Sequence, residues 1–263
     1  MNLRCQQSAL EELRNLSNRD RHSILIEGVS GCGKTYLSKQ YARMLNISDL
    51  VNVSATVGEI RKAIDMSYNL ESRVVICIEN LDSGVAGASY TLLKFLEEPR
   101  ENIYIVVTCS NINKVPDTIV SRSSVVTVAV PTESDLDEFI KSYPIERQKM
   151  IDDRDDIRRS IKSFLDVDYC MSVSTTSYFD HLESLLELIQ SKKPISDISW
   201  ALGHYPDGSE IPIRFVMNYL VSNTSDKRIR KYGIECMRDL DSSRLASHAV
   251  LAKFVMDAKY SDG

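Results

Sequence analysis

The strongest indication of the fold in this sequence is a stretch of eight residues, Gly28-Val29-Ser30-Gly31-Cys32-Gly33-Lys34-Thr35. They match the phosphate-binding pattern GxxxxGK[ST] in full. An apolar run predicts a strand over residues 23–27 directly before them, and residues 34–45 read as a helix directly after them. In this arrangement the backbone N–H groups of a glycine-rich turn surround phosphate groups at the start of a helix. A chance match is a poor alternative, because strand, loop and helix occur in the required order.

The residue types of this phosphate loop indicate how it would hold a nucleoside triphosphate. The predicted phosphate cradle consists of Gly28, Ser30, Gly31, Cys32 and Gly33. Lys34 would reach the β and γ phosphates, and the Thr35 hydroxyl would ligate Mg²⁺.

Composition sets limits on the class of protein. The length of 263 residues suggests two or three domains. Its composition, 43% hydrophobic and 26% charged residues, is that of an ordinary globular protein. Its 32 basic and 37 acidic residues give a net charge of −5, so contacts with nucleic acid must be local or shared with partner subunits. The six cysteines form no CxxC pair, which disfavours a zinc module. Without an apolar signal region or a membrane-length apolar run, we expect a cytoplasmic protein.

The order of apolar and helical segments predicts an α/β fold. Parallel strands are predicted at residues 23–27, 50–53, 73–79, 103–109 and 124–130, with helices at 57–67, 88–98 and 116–121 between them. After Pro131 only helical patterns follow, including 178–191, 194–202, 212–222, 227–240 and 244–258. We therefore predict three domains: 1–130 binding nucleotide, 131–171 forming a small helical unit, and 172–263 forming a helical bundle. A Ser/Thr-rich segment, 172–177, reads as the linker before the bundle.

A carboxylate for Mg²⁺ is predicted on a second strand. Val74-Val75-Ile76-Cys77-Ile78-Glu79 places Glu79 at the carboxyl end of an apolar run, where open α/β sheets bind their ligands. The next residue is Asn80. Many ATPases of this kind have a second carboxylate here, which positions the attacking water, and an asparagine cannot accept a proton from that water. Slow hydrolysis, or nucleotide binding without hydrolysis, is therefore an open alternative.

The segments after this strand indicate a family. Leu92-Leu93-Lys94-Phe95-Leu96-Glu97-Glu98-Pro99 is followed by an apolar strand ending in Ser110-Asn111, then by Lys114-Val115-Pro116 and Ile119-Val120-Ser121-Arg122-Ser123. This combination resembles the AAA+ subunits of sliding-clamp loaders, both the bacterial tau/gamma and delta-prime type and the replication factor C type. The resemblance covers about the first 170 residues, and the remaining helices fit the family's collar in kind rather than by motif. It implies an AAA+ P-loop core, a small helical lid, an all-α collar, and ATP with Mg²⁺ as ligands.

The resemblance also implies roles for individual residues. Ser110 and Asn111 end a buried strand beside the metal carboxylate and could sense the γ-phosphate or orient water. Arg122 corresponds to the arginine that the family presents to the ATP of the next subunit; a surface salt bridge is its alternative interpretation. Arg158 corresponds to the lid arginine that contacts the ATP of its own chain, although Arg159 could be the true match and a charged helix is usually a solvated face.

Departures from the family pattern are informative. Besides Asn80, Ser123 replaces a frequent cysteine, an amino-terminal Arg-Pro segment is missing, and residues 52–61 lack the basic residue that couples DNA contact to the catalytic glutamate. The compact length and the missing zinc module favour a phage-encoded loader.

The expected function is that of a clamp-loader ATPase subunit. Expected partners are other loader subunits, in a pentamer, a sliding clamp and primer–template DNA, without a membrane. Candidate DNA contacts are Arg61, Lys62, Lys94 and the basic cluster at residues 227–231. Two alternatives remain open: a non-hydrolysing structural subunit of the delta-prime kind, and another AAA+ remodeller such as a helicase loader.

Overall fold

The computed structural model describes residues 4–84, 86–97, 100–172, 176–206, 208, 210–242 and 247–260. The chain divides into two compact units, Met1–Asp135 and Leu136–Gly263. The further division of the second part into lid and collar stays a prediction. Residues 173–175 of the predicted linker, and Glu98 and Pro99 of the Leu92–Pro99 motif, lie outside the described residues.

The first unit alternates helices and strands, as the sequence predicts. In chain order it contains α1 (Arg4–Asn18), β1 (Ser23–Glu27), α2 (Lys34–Met44), β2 (Asp49–Ser54), α3 (Val57–Tyr68), β3 (Val74–Glu79), α4 (Ala86–Glu97), β4 (Ile103–Cys109), α5 (Asp117–Val120) and β5 (Ser124–Thr127). Short 3-10 helices occupy Leu81–Ser83 and Ile112–Lys114. Helix α1 has no counterpart among the predicted elements.

The five strands form one parallel sheet in the order β2-β3-β4-β1-β5. In a parallel sheet all strands end at the same edge. The carboxyl ends of β1, β3 and β4 therefore bring the phosphate loop, Glu79 and the segment after Cys109 to one side of the sheet. The sequence predicted the strands but not their spatial order.

Both faces of the sheet are buried, and neighbouring residues of a strand serve opposite faces. Leu25 packs in the core beneath α3, α4 and α5, whereas Ile24 and Ile26 pack in the core beneath α1 and α2. Helix α3 begins where the Thr56 hydroxyl accepts a hydrogen bond from the Glu59 N–H at 3.3 Å, a standard helix cap. This double coverage explains why the strands read as continuous apolar runs.

Strand β5 ends at Thr127 and not at residue 130 as predicted. The reason is its neighbour: Thr127 pairs with Glu27, the last residue of β1, and the Val128 N–H donates to the Glu27 carbonyl at 2.8 Å. Beyond Glu27, strand β1 ends and the backbone turns into the phosphate loop, so residues after Val128 have no strand beside them to pair with.

The second unit is helical in its described residues. Helix α6 (Glu133–Ile140) crosses the division between the units, and α7 (Ile145–Asp152), α8 (Asp155–Ser160), α9 (Phe164–Ser172), α10 (Thr176–Gln190), α11 (Ile195–Ala201), α12 (Ile213–Asn223), α13 (Lys227–Ser242) and α14 (Ser247–Tyr260) follow. Phe179, Phe215 and Phe254 are among its largest buried side chains. Within the described ranges no helix is long and apolar enough to cross a membrane.

Replacing Leu37 by alanine should destabilise the protein. Leu37 is fully buried between α2 and the sheet, so Leu37→Ala should lower the free energy of unfolding by about 2–5 kcal/mol. Urea denaturation of the full chain, followed by circular dichroism, measures the change. The control Met66→Ala, at a side chain that is 54% exposed, should change stability by less than about 0.5 kcal/mol. Equal effects of the two substitutions would contradict the assigned core.

Candidate nucleotide site

The phosphate loop connects β1 to α2 and depends on its glycines at two positions in particular. Gly33, directly before α2, has φ 92°, a backbone conformation that residues with a side chain rarely adopt. At Gly28 a Cβ atom would lie 2.6 Å from the Cys32 sulfur and 3.0 Å from the Val128 Cβ. The Leu37 N–H donates to the Gly33 carbonyl at 3.0 Å. The N–H groups of Lys34 and Thr35 come before this bond, in the first turn of α2, where backbone N–H groups have no acceptor within the helix. The loop thus has the backbone form of an anion-binding turn.

The Lys34 ammonium lies against the loop that precedes it. It donates to the Gly28 carbonyl at 2.7 Å and to the Val29 carbonyl at 3.1 Å, and only 7% of the residue is exposed. A buried positive charge at the start of a helix adds to the positive potential of the helix amino terminus. Lys34 therefore has the location that phosphate binding requires.

The two predicted Mg²⁺ ligands are in contact. The Thr35 hydroxyl donates to Glu79 Oε1 at 3.1 Å, although the two residues are 44 positions apart in the sequence. Hydroxyl and carboxylate oxygens are hard donors of the kind that Mg²⁺ prefers. The donor set at the meeting point of α2 and β3 therefore fits Mg²⁺, and Thr35 and Glu79 would hold it there.

Asn80 adopts a left-handed backbone conformation, with φ 53° and ψ 52°. Asparagine tolerates this conformation better than most residues with a side chain. The Asn80 N–H donates to the Thr108 hydroxyl at 3.0 Å, and Thr108 is buried in β4. The end of β3 is thereby fixed to β4. Asn80 stands where the family resemblance predicts a glutamate, and its residue type suits the left-handed backbone at this position.

Two carboxylates that the sequence analysis missed hold the segment after β4. Asp82 Oδ2 accepts hydrogen bonds from the N–H groups of Ser110 and Asn111, both at 3.1 Å. Glu27 Oε1 accepts from the N–H of Ile112 at 2.9 Å. The available signals were acidic residues at the end of β1 and three positions after Glu79. These contacts place Ser110 and Asn111 beside the ends of β1 and β3.

The two predicted sensor residues differ in what their side chains do. Asn111 Oδ1 accepts a hydrogen bond from the Asn113 N–H at 3.0 Å and so caps the short 3-10 helix that follows β4. Ser110 is exposed at the end of β4. Asn111 therefore has a structural contact within its own segment, whereas the Ser110 side chain faces solvent.

The phosphate loop is also held from α1, which the sequence analysis did not predict. Buried Gln6 donates from Nε2 to the Cys32 carbonyl at 2.9 Å. Burial raises the pKa of the Cys32 thiol, and the charge of nearby Lys34 opposes part of that rise. The thiol is therefore protonated at neutral pH and packs as a neutral side chain.

Arg122 lies between α5 and β5. It donates to Glu97 Oε1 at 3.1 Å and to the Thr118 carbonyl at 3.0 Å, and its side chain is 39% exposed. This is the surface ion pair that the sequence analysis gave as the alternative to a role toward a nucleotide.

The sheet register sets how far Arg122 lies from the phosphate loop of its own chain. Ser124 at the start of β5 pairs with Ile24 at the start of β1, whereas the phosphate loop follows the end of β1. Four residues of strand separate the two levels, a distance of about 13 Å. Arg122 thus lies at the edge of the sheet opposite to the phosphate loop.

The lid candidates lie in the second unit. Arg158 forms an ion pair with Asp137, and Arg159 donates to Asn223 Oδ1 at 3.1 Å. Both arginines therefore have partners within their own unit, and which of them serves a nucleotide stays a prediction. The DNA-contact candidates Arg61 and Lys62 are exposed on α3, and Lys94 is exposed on α4; contact with DNA also stays a prediction.

The sequence is similar to those of known DNA polymerase III and clamp-loader subunits. Residues 51–132 match the family model described as DNA polymerase III, delta subunit. The gamma subunit of DNA polymerase III from Buchnera aphidicola subsp. Schizaphis graminum is 26% identical over 150 residues, which cover 46% of this chain and 41% of that protein. The sliding-clamp-loader large subunit of Enterobacteria phage T4 is 26% identical over 141 residues, covering 50% of this chain and 44% of that protein. The match thus spans less than half of the length of each relative.

Solved structures share the fold at low sequence identity. A DNA polymerase III gamma subunit-related protein from Thermotoga maritima superimposes with a TM-score of 0.54 at 15% identity, covering 95% of this chain and 98% of that one. The RuvB Holliday junction branch migration motor of the same organism gives a TM-score of 0.51 at 15% identity, covering 97% and 82%.

The parallel sheet and its phosphate loop define an α/β P-loop protein, as predicted from the sequence, with a fold that the two Thermotoga maritima proteins share. Within that class the chain is related to the clamp-loader subunits of the DNA polymerase III gamma and tau type, so the predicted family resemblance is confirmed.

Removing the Asp82 carboxylate should loosen the segment after β4. Asp82→Ala leaves the N–H groups of Ser110 and Asn111 without their acceptor, at a cost of about 1–3 kcal/mol. Hydrogen–deuterium exchange of peptides covering residues 110–112 should therefore become about tenfold faster or more. Asp82→Asn, which keeps an acceptor oxygen, and Glu101→Ala, at an exposed carboxylate, serve as controls. Unchanged exchange in Asp82→Ala would show that the contact does not hold the segment.

Proposed function

We propose that this chain is an ATP-binding subunit of a clamp loader. Within a multi-subunit ring it would help to open a sliding clamp and load it on primer–template DNA, with ATP hydrolysis triggering release. The observation that carries the proposal is the contact between Thr35 and Glu79 beside a complete phosphate loop, because it joins both halves of an ATP·Mg²⁺ site. The similarity to clamp-loader subunits supports a clamp loader as the complex in which such a site would work.

The proposed roles of the site residues are supported by their positions. Gly28 to Thr35 would hold the phosphates, and Thr35 and Glu79 would hold Mg²⁺, which when bound offsets the negative charge of the phosphates. Ser110 and Asn111 would sense the γ-phosphate or orient water, and the anchoring of their segment by Asp82 supports this role. Arg158 would contact the nucleotide of its own chain.

Arg122 is proposed to act on the nucleotide of a neighbouring subunit. Its position about one strand length from the phosphate loop of its own chain supports this assignment. The ion pair with Glu97 is compatible with it, because exposed ion pairs contribute only about 0–1 kcal/mol and can be exchanged for a phosphate contact. The site would then be complete only in an assembly, for which a pentamer, as in other clamp loaders, is the proposed form.

A second candidate function is that of a structural subunit that binds ATP without hydrolysing it. The specific observation in its favour is Asn80, which offers no carboxylate to the attacking water and is fixed by its N–H to Thr108. In that case nucleotide binding would stabilise the ring, and hydrolysis would occur on other subunits.

ATP binding should depend on Lys34. Lys34→Ala removes a buried positive charge from the phosphate loop, so ATP·Mg²⁺ affinity measured by calorimetry should fall by about tenfold or more. The control Lys39→Ala, at an exposed lysine of α2, should leave the affinity unchanged.

A second experiment tests assembly with a clamp. The wild-type chain, co-expressed with its replication neighbours, should co-purify with a sliding clamp in the presence of ATP. Failure to bind ATP, or no clamp association under ATP, would count against the proposal.

Substitution of Asn80 separates the two candidate functions. Asn80→Asp supplies a carboxylate and tolerates the left-handed backbone, whereas a glutamate there would cost about 1–2 kcal/mol. If the site is built for hydrolysis, single-turnover ATP hydrolysis in the assembled complex should rise about tenfold or more in Asn80→Asp. Asn80→Gln, which adds length without a carboxylate, should give no rise. An unchanged rate in both variants would favour the structural subunit.

A further inference from the structure

A cavity of about 420 Å³ lies at the amino-terminal ends of β1 and β5. Its lining includes Arg19, Arg21, Arg122, Ser23, Ser123 and Ser124, and we call it the basic cavity. It faces the edge of the sheet opposite to the phosphate loop, and its volume is within the range of roughly 300–1,000 Å³ that is usual for small-molecule sites. The function proposed above makes use of only one of these residues, Arg122.

Two positive charges in the basic cavity are unpaired. The guanidinium groups of Arg19 and Arg21 have no hydrogen-bond or ion-pair partner in the part of the chain that the structure describes, and both residues are exposed. Among the lining residues the acidic one is Asp20, and its carboxylate is engaged by Arg73 at 2.9 Å. Among the described residues of the first unit no carboxylate contacts the guanidinium groups of Arg19 and Arg21, so the cavity has an excess of positive charge.

The backbone that carries these arginines is fixed. The N–H groups of both Arg19 and Arg21 donate to the Leu16 carbonyl at 3.2 Å, and the Arg21 carbonyl accepts a hydrogen bond from the buried Tyr41 hydroxyl. The turn between α1 and β1 thus presents two arginines from a fixed base. A ligand would have to order their side chains but not the turn that carries them.

The donors in the basic cavity suit phosphate groups. Guanidinium groups bind phosphate oxygens through paired N–H donors, and serine hydroxyls add further donors. The lining also includes the hydroxyls of Ser23 and Ser123, which lie 2.9 Å apart, within hydrogen-bond distance of each other. Arg122 is paired with Glu97, but the unpaired guanidinium groups of Arg19 and Arg21 leave two positive charges, so the cavity favours a ligand with more than one negative charge.

We propose that the basic cavity binds the phosphate groups of a nucleoside triphosphate held by an adjoining chain, with Arg19 and Arg21 as contacts beside Arg122. The distance from the chain's own phosphate loop makes its own nucleotide an unsuitable ligand. This assignment rests on the proposed function in one respect, the role of Arg122 toward a neighbouring subunit. The binding chemistry of the cavity can be tested without that role.

The first test uses inorganic tripolyphosphate and a chain whose phosphate loop is disabled by Lys34→Ala. Calorimetry at low salt should show saturable binding, because the basic cavity is intact in this variant. Adding Arg19→Gln and Arg21→Gln should weaken this binding about tenfold or more, whereas adding Arg43→Gln, at an exposed arginine on α2, should not. Absence of saturable binding, or equal weakening by Arg43→Gln, would overturn the proposal. Failure of the proposed function would instead show as wild-type chain that does not bind ATP.

The second test identifies the source of the phosphates in the assembled complex. With Arg19→Gln and Arg21→Gln together, ATP turnover by the complex should fall about tenfold, in the same direction as with Arg122→Ala, while ATP affinity of the isolated chain stays unchanged. That result would support a nucleotide on a neighbouring chain. Unchanged turnover would overturn this part of the proposal and, with tripolyphosphate binding intact, would assign the cavity to a free phosphate-bearing ligand.

Discussion

The parallel pairing of β1 with β4 and β5 is the constraint on which the rest of the structure depends. Because the three strands run in the same direction, the phosphate loop at the end of β1 and the segment of Ser110 and Asn111 at the end of β4 share one edge. The same pairing places Arg122, which precedes β5, at the other edge. One pattern of backbone hydrogen bonds therefore separates the side of the sheet that carries the phosphate loop from the side that carries Arg122.

The nucleotide edge is held together by short polar contacts between strands that are distant in sequence. Thr35 contacts Glu79, the Asn80 N–H contacts Thr108, and Asp82 accepts the N–H groups of Ser110 and Asn111. Each contact satisfies a polar group at a strand end, which would otherwise lose hydrogen bonds on partial burial. The ends of the strands are thereby fixed relative to each other before any ligand binds, which lowers the entropic cost of assembling the site.

Apart from α1, the sequence anticipated the strands and α-helices of the first unit to within a few residues, since buried parallel strands leave continuous apolar runs. It missed α1, the roles of Glu27 and Asp82, and the early end of β5. A single acidic residue looks the same in sequence whether it is solvated or accepts two backbone N–H groups. The end of a strand likewise depends on where its neighbour stops, and β5 stops where β1 turns into the phosphate loop.

The sequence by itself determined the phosphate loop, the carboxylate at Glu79 and the clamp-loader resemblance, because each rests on residue types at fixed short spacings. Only the tertiary structure decided which distant groups meet. It joined Thr35 to Glu79, gave Asn80 a left-handed backbone, and gathered Arg19, Arg21 and Arg122 around one cavity. The physical reason is that strand order, and with it every contact between strands, is set by packing across the whole sheet, which no local spacing encodes.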